Sequence, residues 1–275
     1  MKTVSAHMIS VLSRLHGIDI SMYDLSFLNK SLQKRLTHLQ YNSTEDYCQL
    51  IEKDQDEGNE FLESLHISYS EYFRNSLTFA VLEQILLPDL VMQRKRNKHN
   101  ELRFWSAACA GGQEAYSLAI LLEEIRLGKA EDFSYRIFAT DQSEIQVNTA
   151  KTAHFPSYSL NNMNLRRVQR WFVSKRDTYT VIPELQEKVM FSVFDLFDPE
   201  FNFPAESIFG DFDLVFCANL LFYYKNEYRD IILKKVSASI RKGGYLVAGE
   251  AERDIILKHD FSEIFPHSAI FKKNT

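Results

Sequence analysis

The sequence predicts an α/β fold in which a doubly wound, mainly parallel sheet follows a small helical domain. Up to about residue 73 the apolar residues follow a helical period, with almost no strand signal. From residue 102 onward, short apolar runs alternate with helical stretches, which is typical of parallel strands joined by crossover helices. We assign residues 1–76 to the helical domain and residues 77–275 to the α/β domain, with an insertion at about 157–190 where the alternation fails.

The helical domain is predicted from apolar residues that recur on one face of each helix. Leu28, Leu32 and Leu36 form such a face. Ser43 and Thr44 are followed by two acidic residues, which is the pattern of a helix start with one of the two hydroxyls as N-cap. This part of the chain is therefore expected to contain several short amphipathic helices.

The α/β domain is predicted to start with a helix and a polar connector at about residues 93–100. The predicted strands are 102–108, 135–140, 189–194, 212–216 and 245–248. The predicted helices are 77–90, 113–127, 143–153 and 226–240. The insertion is predicted to contain a short helix at 165–172 and a hairpin strand at 178–182.

Composition argues against several classes of protein. A net charge of -5 and a pI of about 5.9 argue against a nucleic-acid partner, which needs a dominant basic surface. The three cysteines are widely spaced in apolar surroundings, so neither a disulfide framework nor a metal site is expected. The N-terminal stretch lacks the apolar core of a signal peptide, and no run approaches the roughly 18 apolar residues of a membrane span. We therefore expect a cytoplasmic protein that does not insert into membranes.

The first strand leads into a turn of small residues and a helix that carries Glu114 in its first turn. Small residues at this turn let a cofactor approach the backbone. The segment has neither the GxGxxG pattern nor the lysine of a P-loop, so nucleoside triphosphates are disfavoured. The Glu114 carboxylate would repel a pyrophosphate at the same helix end, but it could pair with the amino group of an amino-acid cofactor. A helix-capping role for Glu114 is an equally open alternative.

Polar residues also follow the next three strands. Asp141 ends the second strand, where an acid can bind both hydroxyls of a ribose, with a simple helix N-cap as the alternative. Asp195 follows the third strand and could contact an adenine amino group, and Asn219 follows the fourth. Because parallel strands end at one edge of the sheet, this order along the chain predicts a cofactor site there.

Several motifs carry a resemblance to a known family. They are Lys34-Arg35-Leu36, Tyr72-Phe73-Arg74, the segments 106–109 and 114–119, the segment 212–217 with Tyr223, and Lys242-Gly243-Gly244-Tyr245-Leu246. With these motifs the sequence resembles the chemotaxis receptor glutamate methyltransferases of the CheR type over nearly its whole length. The resemblance implies a class I S-adenosylmethionine-dependent methyltransferase with a Rossmann-like doubly wound sheet, a small all-α N-terminal domain and a small β insertion.

The resemblance also implies an activity and a set of site residues. The implied reaction transfers a methyl group from S-adenosylmethionine to glutamates on the cytoplasmic helices of a chemoreceptor, leaving γ-methyl esters and S-adenosylhomocysteine. Arg74 and Tyr223 fall at positions beside the reacting methyl group. Cofactor-contacting positions are Ser68, Ser70, Arg74, Glu114, Asp141, Asp195, Leu196, Ala218 and Asn219. The chain is expected to act as a monomer on the receptor.

The sequence departs from the family pattern at three places. Asn75 replaces the usual acid, Ala218 replaces the usual arginine, and residues 110–113 replace the usual Ser-Thr-Gly-Glu turn. The loss of the arginine removes a cation near the cofactor. Two alternatives therefore stay open: a signalling or adaptor module that binds the cofactor with weakened catalysis, and a methyltransferase for another substrate.

Two further features concern the receptor. Some family members dock a receptor pentapeptide on a glycine-containing loop of the insertion, but residues 172–189 contain no glycine. We therefore predict recognition through the methylation helices alone. Lys30, Lys34 and Arg35 lie on one helical face that could contact an acidic receptor bundle, although a solvated face is the commoner meaning of such a trio.

Overall fold

The computed structural model describes residues 3–16, 19–65, 70–96, 101–128 and 133–274. The chain forms two compact units: Met1–Ile67 together with Phe222–Asp230, and Ser68–Leu221 together with Ile231–Thr275. The sequence placed the boundary later, after residue 76. The intervening residues belong to the second unit because Tyr72 is fully buried there, with its ring edge-on to Phe155 and Phe172.

Among its described residues before position 66, the first unit contains four short helices, as the apolar periodicity predicts. They are α1 (Ala6–His16), α2 (Leu25–His38), α3 (Thr44–Lys53) and α4 (Gln55–Leu65). Ser43 is the N-cap of α3, and its side chain accepts the backbone N–H groups of Glu45 and Asp46. The buried faces of these helices supply the core of the unit, including Leu28, Leu32 and Leu36 of α2.

The segment Phe222–Asp230 belongs to the first unit through backbone pairing with the residues before α2. Tyr23 and Tyr224 form an antiparallel bridge, and their rings stack with centroids 5.0 Å apart. The N–H group of Asp24 donates to the carbonyl oxygen of Tyr223 over 2.8 Å. The sequence pattern did not predict this assignment, because the pairing joins residues far apart in the chain.

The second unit holds the α/β fold. Its helices are α5 (Ser76–Val81), α6 (Leu87–Arg96), α7 (Gln113–Gly128), α8 (Glu144–Thr152), α9 (Leu165–Trp171), α10 (Pro183–Gln186), α11 (Asn226–Ser239) and α12 (Arg253–Ile256), with a π-helical turn at Leu82–Leu86 between the first two. Of α11, the residues from Ile231 onward belong to this unit. Its strands are β1 (Glu101–Ser106), β2 (Ser134–Asp141), β3 (His154–Pro156), β4 (Phe172–Lys175), β5 (Thr178–Val181), β6 (Val189–Val193), β7 (Phe212–Phe216), β8 (Ile240–Val247), β9 (Phe261–Glu263) and β10 (Ile270–Lys273). None of the helices in the described ranges combines the length and apolarity that a membrane span requires.

The main sheet has seven strands in the order β6-β2-β1-β7-β8-β10-β9. The five predicted strands pair in parallel, and β10 pairs antiparallel with both of its neighbours. From β1 the chain proceeds outward through β2 to β6, and it then returns to the other side of β1 to form β7. The strand order thus reverses between β1 and β7, and a crevice outside the carboxyl ends of such strands is where open α/β sheets bind ligands.

A buried carboxylate holds the opposite end of these central strands. Asp213 on β7 is fully buried and accepts hydrogen bonds from the guanidinium of Arg94, at 3.0 and 2.9 Å, and from the backbone N–H of Arg103, at 2.8 Å. Charge-assisted bonds of this kind are stronger than neutral ones. They tie α6 and β1 to β7, which fixes the strands that carry the crevice.

The insertion forms the small β sheet that the resemblance implies. Its three antiparallel strands lie in the order β3-β5-β4, with β4 and β5 as the two arms of a hairpin. The insertion begins at His154, slightly before the predicted start. Arg176 in the hairpin turn has φ 55°, a left-handed conformation that glycine usually supplies.

Candidate functional site

The turn after β1 brings the backbone close to the crevice between β1 and β7. Gly112 has φ 88°, and a Cβ there would lie 2.9 Å from the Cβ of Ala150 and 3.0 Å from the ring of Phe191. Only glycine fits this position. The N–H of Cys109 donates to the carbonyl oxygen of Thr140 over 2.9 Å, which fixes the turn against the end of β2.

Glu114 lies half-buried in the first turn of α7. Its Oε1 accepts the hydroxyl of Ser106 at the end of β1, over 2.7 Å. Burial raises the pKa of Glu114 to about 7, opposed by the Ser106 hydrogen bond and by the positive charge of Arg74, and reinforced by the nearby Glu252. A carboxylate in this state gains stability from a cation, since a nearby positive charge favours its ionised form.

Asp141 lies at the end of β2, and its two oxygens hold the adjoining turns. Oδ2 accepts the N–H of Ala110 at 2.9 Å, and Oδ1 accepts the N–H of Ser143 at 3.0 Å. The N-cap of α8 is Ser143, whose side chain accepts the N–H of Gln146, so Asp141 is not the simple helix cap that the sequence left open. A carboxylate oxygen can accept more than one donor.

The charges of Asp141 and Glu114 both affect the pKa of the buried thiol of Cys109. Burial raises the pKa of the Cys109 thiol well above its usual value, and the next two causes are the charges of Asp141 and Glu114. The pKa of the Cys217 thiol, directly after β7, is raised in the same way by burial and by the charges of Glu252 and Glu114. The charges of Glu114, Asp141 and Glu252 therefore act on the residues that follow β1 and β7.

Sequence reasoning missed Glu252, which follows β8 and is fully buried. Its carboxylate accepts four backbone N–H groups, from Gly249 at 2.6 Å, Asn219 at 2.8 Å, Leu220 at 2.7 Å and Leu221 at 2.6 Å. Burial raises its pKa, opposed by these bonds. Glu252 thus fixes the loop after β7, where Asn219 has φ 61°. Extending the rule of polar residues at strand ends to the fifth parallel strand would have pointed to it.

The remaining predicted residues lie in less constrained surroundings. Asp195 is exposed, and its Oδ1 accepts the N–H of Phe197 at 2.8 Å, closing the turn after β6. Among the other predicted site residues, Leu196 is buried, Ser70 and Ala218 are half-buried, and Arg74 is exposed. Ser68 lies outside the described residues.

Tyr223 belongs to the first unit. Its half-buried ring lies 4.9 Å from the ring of Phe27, centroid to centroid. The structure therefore assigns the two predicted catalytic residues to different compact units, with Arg74 in the second.

The donors and acceptors of the crevice fit a cationic amino-acid cofactor. The Oε1 atom of Gln113 is buried and has no donor within the described residues, and it lies at the same turn as Glu114. An unsatisfied buried acceptor beside a carboxylate suits an ammonium group. Carboxylates at Glu114 and Asp141 would repel phosphate. Within the described ranges, no three His, Cys, Asp or Glu side chains are grouped as metal ligands.

The family is decided by two matches that together cover most of the chain. Residues 68–269 match the family model described as CheR methyltransferase, SAM binding domain, and residues 7–66 match CheR methyltransferase, all-alpha domain. The chain belongs to the CheR methyltransferase family. The predicted resemblance, the fold class and S-adenosylmethionine as cofactor are thereby confirmed, and the protein is a methyltransferase.

Individual CheR relatives match over long stretches. A chemotaxis protein methyltransferase of Listeria innocua is 29% identical over 243 residues, covering 88% of this chain and 87% of its own length. Chemotaxis protein methyltransferase 1 of Pseudomonas aeruginosa is 34% identical over 186 residues, covering 66% of this chain and 64% of its own. A chemotaxis protein methyltransferase of Borreliella burgdorferi is 26% identical and covers 98% of this chain and 93% of its own length.

Ionisation of Glu114 makes cofactor affinity depend on pH. Because its pKa is about 7 without a ligand, a bound ammonium group must displace a proton at lower pH. We expect the affinity for S-adenosylmethionine to fall about tenfold per pH unit below pH 7 and to level off above it. Isothermal calorimetry between about pH 5.5 and 7.5, where an α-amino group is mostly protonated, measures this dependence.

Matched variants test whether the carboxylate of Glu114 is responsible for this pH dependence. Glu114→Gln should bind more weakly at pH 7.5 and lose most of the pH dependence, whereas Glu144→Gln, an exposed residue of α8, should behave as wild type. A wild-type curve as flat as that of Glu114→Gln would show that Glu114 does not bind the ammonium group.

Proposed function

We propose that this methyltransferase forms γ-methyl esters on glutamates in the cytoplasmic helices of a chemoreceptor. The observation that carries the proposal is that Arg74 directly follows Phe73, whose N–H group donates to Ser117 on α7, three residues after Glu114. The charge of Arg74 opposes the rise in the pKa of Glu114. A cation beside the carboxylate of the cofactor site can also hold the carboxylate of a substrate. The relatives in Listeria and Borreliella, both named chemotaxis protein methyltransferase, support a receptor as the source of that carboxylate.

We assign the cofactor contacts from the geometry of the crevice and the resemblance together. Glu114, with Gln113 beside it, receives the ammonium group, and Asp141 receives the ribose hydroxyls. Asp195 contacts the adenine amino group. The resemblance places Ser68, Ser70, Leu196, Ala218 and Asn219 around the remainder of the cofactor.

The chemistry needs positioning more than proton transfer. S-adenosylmethionine supplies an electrophilic methyl group on a sulfonium centre when it is bound. A glutamate side chain is already ionised at neutral pH, so the protein needs no general base to activate it. In this proposal Arg74 orients the substrate carboxylate and the Tyr223 hydroxyl donates a hydrogen bond that fixes its angle. Orientation alone can supply several kcal/mol of rate enhancement.

A groove in the first unit is suited to an acidic helix. It has a volume of about 780 Å³ and is lined by the aromatic rings of Phe27 and Tyr223 and by polar side chains of α2. Lys30 and Lys34 are exposed on α2 and border this groove. In this proposal their charges attract the acidic surface around the methylated glutamates, which increases the rate of association.

Arg35 contributes differently from the two lysines. Its guanidinium donates to both oxygens of Glu57, at 2.7 and 2.6 Å, and Glu57 also accepts the hydroxyl of Tyr47. This half-buried pair joins α2 to α4. The residue predicted to complete a receptor-binding trio is therefore engaged inside the first unit, so the proposal rests on Lys30 and Lys34.

We further propose that the receptor is recognised without pentapeptide tethering. The hairpin turn of the insertion carries Arg176 in a left-handed conformation, and no glycine occurs from residue 172 to residue 189. A loop without glycine has fewer ways to bring its backbone close to a docked peptide. In this proposal the enzyme works in the cytoplasm as a monomer and reaches the methylation helices directly.

One specific observation favours the alternative of an adaptor that binds the cofactor with weakened catalysis. Ala218, which replaces the family's arginine, lies directly before Asn219, on the loop that Glu252 holds at the crevice. With no cation at position 218, the half-buried Glu114 and the buried Glu252 face less compensating charge. Cofactor binding without methyl transfer to any receptor would support this alternative.

Methyl transfer to a receptor fragment tests the function. With tritiated S-adenosylmethionine, the purified enzyme should label a chemoreceptor cytoplasmic fragment, and mild base should release the label as methanol because esters hydrolyse there. Arg74→Ala should lower kcat/KM about 100-fold, the cost of losing orientation at the reacting group. Arg74→Lys should recover part of the activity because it keeps the charge.

Arg136→Ala removes an exposed arginine of β2 and should leave transfer unchanged. Base-stable label, or equal rates for Arg74→Ala and Arg136→Ala, would contradict the proposed reaction.

Charge reversal in the groove tests receptor recognition. Lys30→Glu/Lys34→Glu should reduce kcat/KM on the receptor fragment about tenfold at low salt and much less at high salt, because screening weakens attraction between exposed charges. The control Lys53→Glu/Lys258→Glu changes the same net charge at exposed positions outside the groove. Equal effects of the two pairs would contradict a role for α2.

Deletion of the last residues of the receptor tests tethering in the same assay. A receptor fragment without its C-terminal pentapeptide should be methylated at the same rate as the intact fragment. A large loss of kcat/KM on deletion would show that the enzyme does use such a tether.

A further inference from the structure

Arg74 is carried by a short segment whose backbone is fixed by one buried hydroxyl. The residue before it, Phe73, has φ 51°, an uncommon conformation for a bulky side chain. Such a conformation is unfavourable and persists only when its surroundings impose it. The direction in which Arg74 leaves the backbone therefore depends on what holds Phe73.

Ser117 holds the backbone of Phe73. Its hydroxyl is completely buried on α7, donates to the carbonyl oxygen of Gln113 over 2.7 Å and accepts the N–H of Phe73 over 3.1 Å. One hydroxyl thus bridges the turn that carries Arg74 and the first turn of α7. Ser117 lies three residues after Glu114, so both project from neighbouring positions on the helix.

The ring of Phe73 is held from the opposite side. It packs edge-on against Phe79 with centroids 5.1 Å apart, and the guanidinium of Arg167 lies 4.6 Å from its centroid. Arg167 is itself fixed by ion pairs to Glu83 at 2.8 Å and Glu124 at 2.7 Å. Because these contacts hold the ring, the hydrogen bond from the Phe73 N–H group determines how the backbone of this turn is oriented.

We propose that Ser117 is a positioning residue that fixes Arg74 beside Glu114 by holding the backbone of Phe73. The inference rests on the proposed function only in giving Arg74 a role at the reacting groups. Ser117 does not contact the substrate in this account. It acts through Arg74, and its loss lets the Phe73 turn relax while the ring stays packed.

The charge of Arg74 on Glu114 provides a readout that a purely structural serine would not affect. Arg74 lowers the pKa of Glu114, so an Arg74 that moves away lets this pKa rise. The pH midpoint of S-adenosylmethionine binding should therefore move upward in Ser117→Ala by about half a unit, and Arg74→Ala should move it at least as far. Calorimetric titrations between about pH 5.5 and 8.5 bracket both midpoints, and because the ligand's own amino group titrates identically with every variant, the difference between variants reports Glu114.

A double-mutant cycle decides whether Ser117 acts through Arg74. In Arg74→Ala/Ser117→Ala the midpoint should equal that of Arg74→Ala alone, because the positioned charge is already absent. Ser117→Thr retains a hydroxyl in position to bond to the Gln113 carbonyl and should restore the wild-type midpoint. An unchanged midpoint in Ser117→Ala, or an equal shift in the presence and absence of Arg74, would overturn the proposal.

Two variants control for folding. Ser239→Ala removes another buried serine, whose hydroxyl donates to the carbonyl of Val236 over 2.7 Å on α11, and it should leave the midpoint unchanged. If Ser117→Ala does not fold, Ser117→Cys keeps nearly the same shape with a much weaker acceptor, and it should show the same upward shift. The readout is cofactor binding, so the cycle gives its result whether or not any receptor is methylated.

Discussion

The constraint on which the site depends is the burial of negative charge at the carboxyl ends of β1, β2 and β7. Glu114 lies half-buried beside Ser106, with a pKa raised to about 7, and Asp141 lies at the end of the adjoining strand. A carboxylate that has lost part of its hydration is stabilised by a cation. This charge pattern suits a sulfonium and ammonium ligand and disfavours the phosphates that many doubly wound folds bind.

Buried hydrogen bonds then fix the backbone around these charges. Glu252 holds the loop after β7 through four N–H groups, and Ser117 holds the turn before Arg74. Asn219 and Phe73, one on each of these segments, have positive φ angles that the contacts stabilise. Preorganisation of this kind means that groups need not be ordered when a ligand binds, which favours both affinity and catalysis.

Much of the fold could be predicted from local patterns. The central strands β1 and β7 are buried along most of their length and are largely apolar in sequence, and the helices of the first unit have clear apolar faces. β9 and β10 were not predicted, because strands of three and four residues give too short a pattern. The place of Phe222–Asp230 in the first unit was also missed, since pairing between distant residues leaves no local signal.

The site was predictable to the extent that it follows the strand ends. Glu114 and Asp141 could be proposed from the sequence because the topology of a parallel sheet brings these positions to one edge. Ser117 was not found, because its importance lies in a hydrogen bond to a backbone group far away in the sequence. Glu252 was not found because the rule of polar residues at strand ends was not extended to β8. Arg35 shows the converse: its position on the face of α2 was correctly predicted, but its partner Glu57 was not.

The most direct test of the account is calorimetric binding of S-adenosylmethionine and S-adenosylhomocysteine to the wild type and to Asp141→Ala. Both ligands contain the ribose that we assign to Asp141, so both should bind the wild type at about micromolar concentration and lose about tenfold to 100-fold in the variant, from lost hydrogen bonds to a charged group. Equal binding to both proteins, or none to the wild type, would contradict a cofactor site at this edge of the sheet.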